Sequence, residues 1–475
     1  MRLSPRYSIA SLLVLGSLIA SHAQASDWQM YTSMPAPKAN TLAVKYNGLI
    51  YMVGGAPWVN GNDQDGSVYK LNANGTWTTA FPLEGMGPVS GQGGGVDANN
   101  HIIVFGGVAT NGDISPGRSY EPVDGPIDWI TDASINAPPL NFGYAVDGQK
   151  RIYRLGGGCD DCFLNYGYCT RYNGVTDSWE QIAYLPYSRS SIAAAYDGQG
   201  HIWGFGGYTS FGLPRIHDTI KYTIATNTWE SIGMAYVPIE TSDAKAVLGA
   251  DGNIYLIGGL AGAYTGLPTT NVWILEPGSN TPILSVGPAL NVARYDFGAV
   301  LGDDNYIYVI GGMGANGALS SVERLYTGAC PAVPNQSPSQ SVSIGQTVNL
   351  TATATGGAPL TFQWERNGQP LSNGPTGHGS TIAGATTTAL TITNFAATDV
   401  GTYTLTATNP CSSATSDDIV LSTSNPADIN HDGHVDASDL AVLLGAWGTS
   451  SPASDLNGDG TVNAADLAIL LGAWG

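Results

Sequence analysis

Six short apolar runs in the first two thirds of the chain each close on a pair of glycines. They are IYMVGG (50–55), IIVFGG (102–107), IYRLGG (152–157), IWGFGG (202–207), IYLIGG (254–259) and IYVIGG (307–312), with a period of 50 to 53 residues. A Tyr or Trp follows 13 to 15 residues after each second glycine, at Tyr69, Tyr120, Tyr172, Tyr222, Trp273 and Tyr326. Four units add a Trp 22 residues after the pair, at Trp77, Trp129, Trp179 and Trp229. A fixed period of this length marks a repeat architecture. Each unit reads as four short strands: one before the glycine pair, one ending in it, one around the Tyr and one around the Trp. No single sheet buries both of its faces, so the aromatic residues are expected to pack between neighbouring sheets, and a ring of sheets meets that need. The sixth unit enters a Pro-rich stretch before its Trp strand. SDWQMY (26–31) carries Trp28 with no glycine pair before it. That segment is expected to complete the last sheet. In the fifth unit Thr281 stands where the Trp would be, which predicts the loosest packing there.

The spacing of Gly-Gly, Tyr and Trp resembles the Kelch repeat. Six copies imply a six-bladed Kelch β-propeller over residues 26–328. The resemblance specifies a fold and leaves function open, because Kelch propellers bind proteins, oxidise sugars, isomerise sialic acid or act as scaffolds.

From 329 to 423 the period changes to two, with regular turn signals, as in a half-buried antiparallel sheet. Asp399-Val400-Gly401-Thr402-Tyr403 resembles the tyrosine corner of an immunoglobulin fold, and Trp364 takes the place of its core tryptophan. The two core cysteines of antibody domains are replaced by Leu350 and Leu405. Cys330 and Cys411 lie at the start of the module and after the Tyr403 strand; they are expected to form a disulfide contributing about 3–4 kcal/mol through the unfolded chain. The module is read as a spacer.

Residues 424–475 hold two near-copies, DINHDGHVDASDLAVLLGAWG and DLNGDGTVNAADLAILLGAWG, placed 27 residues apart. Asp428, Asn430, Asp432, His434, Asp436 and Asp439 fall at positions 1, 3, 5, 7, 9 and 12 of an EF-hand-type loop, and Asp455, Asn457, Asp459, Thr461, Asn463 and Asp466 repeat them. Oxygen ligands at alternate positions, with a main-chain carbonyl at position 7 and a glycine at position 6, suit calcium. Leu440, Leu443, Leu444 and Trp447 follow the first loop at helical spacing, as do Leu467, Leu470, Leu471 and Trp474 the second. The turn sequence STSNPA leaves no room for a helix before the first loop. Loop–helix units of this kind closely resemble a type I dockerin. The resemblance implies two calcium ions, calcium-dependent folding, and docking to a cohesin-type module. A cell-envelope component is the alternative partner. Small residues, Ala437-Ser438 and Ala464-Ala465, stand where cellulosomal dockerins set partner choice. The expected fold class is therefore mainly β: a propeller, an Ig-like sandwich and a small α dockerin-like pair.

Composition narrows the partners. Glycine, 63 of 475 residues, is about twice the usual share of roughly 7%. The net charge is −20, and residues 331–475 hold one basic residue, Arg366, against eleven acidic ones. A nucleic-acid partner needs a basic footprint that is missing here. Residues 1–25 read as a secretory signal: Arg2 and Arg6, an apolar run at 8–20 too short to span a bilayer comfortably, and cleavage between Ala25 and Ser26. No later segment is apolar enough to span a membrane, and export permits disulfides.

Chemistry in the repeats is less defined. Trp58, Tyr166, Phe211 and Tyr264 lie in loops after the glycine pairs and suit sugar stacking or protein contact. Arg189, Glu240 and Arg294 precede the first strands and have the residue types for carboxylate binding and proton transfer. A sialic-acid mutarotase resembles this length and blade count. A copper radical site is disfavoured, since His101 and His201 occupy one repeat position and His217 is left alone. Cys159, Cys162 and Cys169 offer three thiols without a fourth zinc ligand, which favours a loop disulfide with one thiol over. The expected function is a secreted, calcium-dependent, surface- or complex-anchored protein whose propeller binds a glycan or a protein. The alternative is a carbohydrate-active enzyme carried into a polysaccharide-degrading assembly.

Overall fold

Every one of the six repeats forms a four-stranded antiparallel sheet in the computed structural model. The structure describes residues 27–475 apart from 57–65, 83–88, 110–117, 121–129, 132–139, 160–163, 210–213, 234–235, 265, 280–281, 431 and 433. The expected signal segment with its Ala25–Ser26 cleavage site, together with Trp58, Trp129, Cys162, Phe211 and Thr281, lies outside the described residues.

The first sheet runs Leu42–Tyr46, Leu49–Val53, Ser67–Leu71 and Trp77–Pro82. The sixth contains Gly298–Leu301, Tyr306–Ile310 and Val322–Tyr326, and Gln29–Tyr31 from the N-terminus adds its outer strand, pairing Met30 with Glu323. Trp28 anchors that strand. Its indole N–H donates to the Pro288 carbonyl at 2.9 Å, and its own carbonyl accepts from Asn291 Nδ2 at 2.8 Å. Among the described residues no single sheet closes on itself. The leading strands nevertheless pack side by side in sequence order: Leu42–Tyr46, Gly93–Val96, Gly143–Val146, Ala193–Tyr196, Lys245–Leu248 and Gly298–Leu301, the last touching the first.

Aromatic residues fill the seams, as their spacing predicts. Trp179 meets Phe105 of the preceding sheet at 5.0 Å between ring centres, and Tyr153 meets Tyr222 of the following one at 6.1 Å. Phe105, Trp203 and Phe205 are fully buried, and each such side chain contributes about 1.5–3 kcal/mol by leaving water. The glycine pairs have a specific cause. Gly206 and Gly207 have φ of 61° and 96°. A Cβ on the first would strike the Thr241 carbonyl of the next repeat, and one on the second the Ser190 carbonyl of its own. The second glycine of the sixth pair, Gly312, donates to the Lys38 carbonyl of the first repeat at 2.8 Å, just as Gly207 donates to Thr241 at 2.8 Å.

A second equivalent position lies just before each leading strand: Asn40, Gly91, Asn141, Ser191, Asp243 and Asp296. All six adopt a left-handed backbone, with φ between 52° and 73°. Short polar residues and glycine tolerate that region best. Main-chain N–H groups link them: Ser191 to Asn141 (2.6 Å), Asp243 to Ser191 (3.2 Å), Asp296 to Asp243 (3.2 Å), Asn40 to Asp296 (2.7 Å) and Gly91 to Asn40 (3.0 Å).

Residues 332–423 form two facing sheets. One is ordered Ala332–Gln336, Val348–Thr355, Ala389–Thr393, Thr381–Ala383 and Gly374–Pro375; the other centres on Gly401–Thr408 between Ile419–Thr423 and Thr361–Arg366. Leu350, Trp364, Tyr403 and Leu405 are fully buried in their shared core. Trp364 is the cross-strand partner of Leu405, and the Tyr403 hydroxyl donates to the Asp399 carbonyl at 2.6 Å. Cys330 and Cys411 are joined by a disulfide with Cα atoms 5.2 Å apart. The module is not a loose appendage. Asn409 Nδ2 donates to Tyr326 Oη (3.1 Å) and to the carbonyls of Ala329 (2.8 Å) and Gly357 (3.0 Å), and Asn305 Nδ2 donates to the Ala358 carbonyl (3.0 Å). Cys411 also packs against the cluster holding Tyr326.

Candidate functional site

The two helices of the tail are α1, Ala437–Gly445, and α2, Ala464–Gly472. Each begins on a reciprocal cap, which satisfies main-chain donors that a first turn leaves open. The Asp436 carboxylate accepts from Ser438 N–H (2.8 Å), and the Asp439 carboxylate accepts from Asp436 N–H (3.0 Å). Asn463 and Asp466 repeat this with Ala465 N–H (2.8 Å) and Asn463 N–H (2.7 Å). The last acidic residue of each loop also reaches back to the loop's start. Asp439 Oδ1 accepts from Ile429 N–H (2.7 Å) and Asn430 N–H (3.0 Å), and Asp466 Oδ1 from Asn457 N–H (3.1 Å).

Inside the loops, Asp432 N–H donates to Asp428 Oδ1 (3.1 Å) and Asp459 N–H to Asp455 Oδ1 (3.2 Å). Asn430 Nδ2 donates to Asp432 (2.8 Å), and Asn457 Nδ2 to Asp459 (2.9 Å). His434 and Thr461 each donate their N–H to the preceding aspartate, at 3.0 and 2.9 Å. Gly460 has φ of 91°, the left-handed turn that position 6 demands; Gly433 lies outside the described residues. Carboxylate oxygens of Asp428, Asp432 and Asp439 lie within 4.8 Å of one another. This oxygen-only donor set, curled around a common centre, fits a hard divalent cation. Among the described residues no other trio of acidic, His or Cys side chains comes so close.

Burial acts to raise the Asp439 carboxyl, but hydrogen bonds from Asp436, Asn430 and Ile429 N–H outweigh it and hold the group below the usual carboxylate range. Asn463 N–H does the same for Asp466, and the Asn457 amide for Asp459. A carboxyl lowered in the folded state stabilises that state above its unfolded value of about 4 and loses the contribution as pH falls through the folded value. The tail helices are therefore expected to melt below about pH 4, while the β sheets keep their signal. Far-UV circular dichroism against pH, without added metal, checks this.

The duplication has a structural meaning. Gly448, closing the first GAWG, donates its N–H to the Val462 carbonyl of the second loop at 2.8 Å. Gly475, closing the second, donates to the Val435 carbonyl of the first loop at 3.2 Å. Each unit thus finishes on the other's loop. Val435, Leu443, Val462 and Leu470 form the shared core with Ala427 and Ile429. The apolar stripe read from the sequence is only partly interred: Leu440 and Leu467 pack against the core, whereas Leu444, Trp447, Leu471 and Trp474 stay 45–53% exposed.

Comparison with known families gives two matches. Residues 331–421 match the Immunoglobulin I-set domain, and residues 426–472 match the Dockerin type I domain. The tail is a type I dockerin. Type I dockerins bind calcium and dock to cohesin modules, so a cohesin is the implied partner of this dockerin. The first three hundred residues lie outside both matches, and no curated protein matches the chain. No helix among the described residues is long and apolar enough to cross a membrane.

The catalytic candidates in the repeats do not come together. Arg189 is fully buried in a bidentate pair with Asp218 (3.0 and 2.9 Å) and donates to the Gly206 carbonyl (3.3 Å). Arg294 is equally buried, pairs with Glu323 (2.7 Å) and donates to the Gly311 carbonyl (2.8 Å). Both arginines brace the glycine pair of their own repeat. Glu240 is half-buried, and its main-chain carbonyl accepts from Gly262 N–H (3.0 Å). His201 Nδ1 sits 2.8 Å from Asp197, a local pairing that supports its structural reading. Cys169 is a free, buried thiol that burial pushes up to about 12, so it is inert at neutral pH. Tyr166 is 39% exposed and Tyr264 77%. The left-handed polar positions Asn40, Ser191, Asp243 and Asp296 escaped the sequence reading; aligning the repeats two residues ahead of each leading strand would have exposed them.

Proposed function

We propose that the chain is an exported attachment protein whose dockerin holds two calcium ions, one in each loop, and docks a rigid β-rich cargo onto a cohesin-type module. The loop ligands are Asp428, Asn430, Asp432, His434, Asp436 and Asp439, and their counterparts Asp455, Asn457, Asp459, Thr461, Asn463 and Asp466. The observation that carries the reading is the reciprocal tie of each loop to the other unit's closing glycine, since it makes one folded object of two metal loops. Ala437-Ser438 and Ala464-Ala465 are exposed on the helix starts, available to a partner. Residues 329–423 act as the spacer, held to the repeats through Asn409. Residues 26–328 are read as a six-bladed Kelch propeller that binds a glycan or a protein. The left-handed chain of main-chain hydrogen bonds, the cyclic packing of leading strands and the N-terminal strand in the sixth sheet support that arrangement. Capture of Arg189 and Arg294 in ion pairs supports binding over catalysis. Calorimetry of the full chain with a recombinant type I cohesin tests the attachment: binding in 1 mM calcium and its loss in chelator are expected, and binding unaffected by chelator contradicts it.

A further inference from the structure

The leading strands of the six repeats enclose a cavity whose outer part has no assigned role. Its mouth, about 470 Å³, is bounded by Asn141, Tyr208, Arg215, Asp243, Tyr264 and Asp296 among others. It narrows to a neck of about 50 Å³, where Thr41, Gln92 and Lys245 join the two aspartates. Beyond the neck lies an apolar chamber of about 400 Å³.

We propose that this mouth binds the end of an uncharged carbohydrate chain, with Asp243, Asp296 and Asn141 taking its hydroxyls and Tyr264 covering its apolar face. The proposal rests on the glycan-binding reading of residues 26–328 and narrows it to a place and a ligand class. Charge is the first argument. Arg215 is buried, donates Nε–H to Ser242 Oγ (2.8 Å) and Nη1–H to the Gly262 carbonyl (3.1 Å), and lies 4.9 Å over the Tyr208 ring. Asp243 accepts from the same Ser242 hydroxyl at 2.6 Å, so cation and anion share one network. Burial, and then the charge of Asp243, push the Asp296 carboxyl up to about 8, with Lys245 pulling the other way; near neutral pH the mouth is close to charge-balanced. An anion would meet the Asp243 carboxylate, and a metal cation would meet Arg215 and, in the neck, Lys245. A polyhydroxylated neutral ligand meets both donors and acceptors.

Unused hydrogen-bonding capacity is the second argument. Thr41 Oγ1 and Gln92 Oε1 in the neck are buried with no partner among the described residues, although such atoms are nearly always satisfied. Hydroxyls or trapped water would satisfy them. The third is shape: the mouth has room for one or two sugar residues, whereas the neck admits only groups the size of water, so a chain enters end-on. The fourth is pre-organisation. Asp243, Asp296, Asn141 and Ser191 are held in one backbone conformation and joined N–H to carbonyl, so little ordering remains to be done on binding. Tyr264, with its ring largely exposed, can stack on the C–H face of a sugar at little cost.

The test uses the full chain in calcium, titrated calorimetrically with methyl glycosides and disaccharides of glucose, galactose, mannose and xylose, and with galacturonic and glucuronic acids. Binding of at least one neutral sugar is expected. Tyr264→Ala, at an exposed position, should weaken it about tenfold without moving the thermal midpoint. Asp243→Asn, which suits the left-handed backbone, should weaken it by a similar factor. Neutral-sugar binding that survives both substitutions overturns the site while leaving the glycan reading standing. Binding of the uronic acids alone overturns the ligand class. Absence of binding to any sugar removes both.

Discussion

Asp466→Asn in the second loop is expected to unfold the first helix as well as the second. The residue is fully buried, and its carboxylate both caps α2 through Asn463 N–H and ties Asn457 N–H at the loop's start. An amide in its place keeps one acceptor, turns the other oxygen into a donor facing main-chain N–H groups, and removes one negative charge from the calcium site. Loss of a loop carboxylate and its hydrogen bonds lowers metal affinity by about 10–100-fold in comparable sites. The effect spreads because neither unit has a core of its own. Leu443 of α1, Leu470 of α2 and the loop residues Val435 and Val462 share one buried cluster, and Gly448 depends on Val462 for its hydrogen bond. Metal binding and folding are then one equilibrium for the pair. Hydrogen exchange of the full chain in limiting calcium reads this locally. Amides of 440–447 and 467–474 should lose protection together, by about tenfold or more, with sheet amides unchanged. Persistent protection of α1 beside an exchanging α2 would show two independent units and sink the reciprocal account.

What the sequence disclosed and what it hid divide along a physical line. Features set by local geometry were legible. The glycine pairs, the alternating pattern around Trp364 and Tyr403, and the ligand spacing of the two loops each depend on residues within about fifteen positions of one another. Features set by long-range pairing were not. Arg189 reads as available for chemistry, yet Asp218, just before the third strand of its own sheet, holds both of its terminal nitrogens. Tyr264 and Asp296 are 32 residues apart and line one cavity because the loop after one repeat's glycine pair meets the residues just ahead of the next repeat's leading strand. The helical stripe in the tail was read one step too wide. Period alone places Leu444 and Trp447 beside Leu443, and only the size of the opposing unit determines that they stay half in water.

The spacer reading also changes in kind. Asn409 bonds Tyr326 and Ala329 at the junction, Asn305 bonds Ala358 across it, and the Cys330–Cys411 disulfide packs near Tyr326. A module fixed in this way transmits orientation, so a cohesin partner bound at the tail would meet the repeats through a strut rather than a tether. The flexible element, if the tail is to swing, has to lie after Thr423, where the last strand of the sandwich ends and the turn sequence leading to Asp428 begins.

Arg294→Ala is expected to cost about 3–5 kcal/mol, the largest single loss in the repeats, since removing one member of a buried pair strands the other's charge. Both partners are fully buried. Glu323 is also the acceptor for Asn291 N–H (2.6 Å), Asn291 Nδ2 (2.9 Å) and Val292 N–H (3.0 Å), and Arg294 bonds the carbonyls of Gly311 (2.8 Å) and Ser321 (3.0 Å). The consequence reaches the chain's start, because Asn291 holds the Trp28 carbonyl and Glu323 lies across from Met30 in the N-terminal strand. Exchange of the amides of 28–31 should therefore rise first, ahead of any change in the other sheets. Urea unfolding measures the loss, and a double substitution, Arg294→Met with Glu323→Met, separates its causes. Replacing both charges by apolar groups of similar volume removes the stranded carboxylate, so the double variant should recover much of what the single one loses. A double variant as unstable as Arg294→Ala would place the stabilisation in the carbonyl contacts to Gly311 and Ser321, and a single variant within about 1 kcal/mol of the parent would remove the pair as the brace of the sixth repeat.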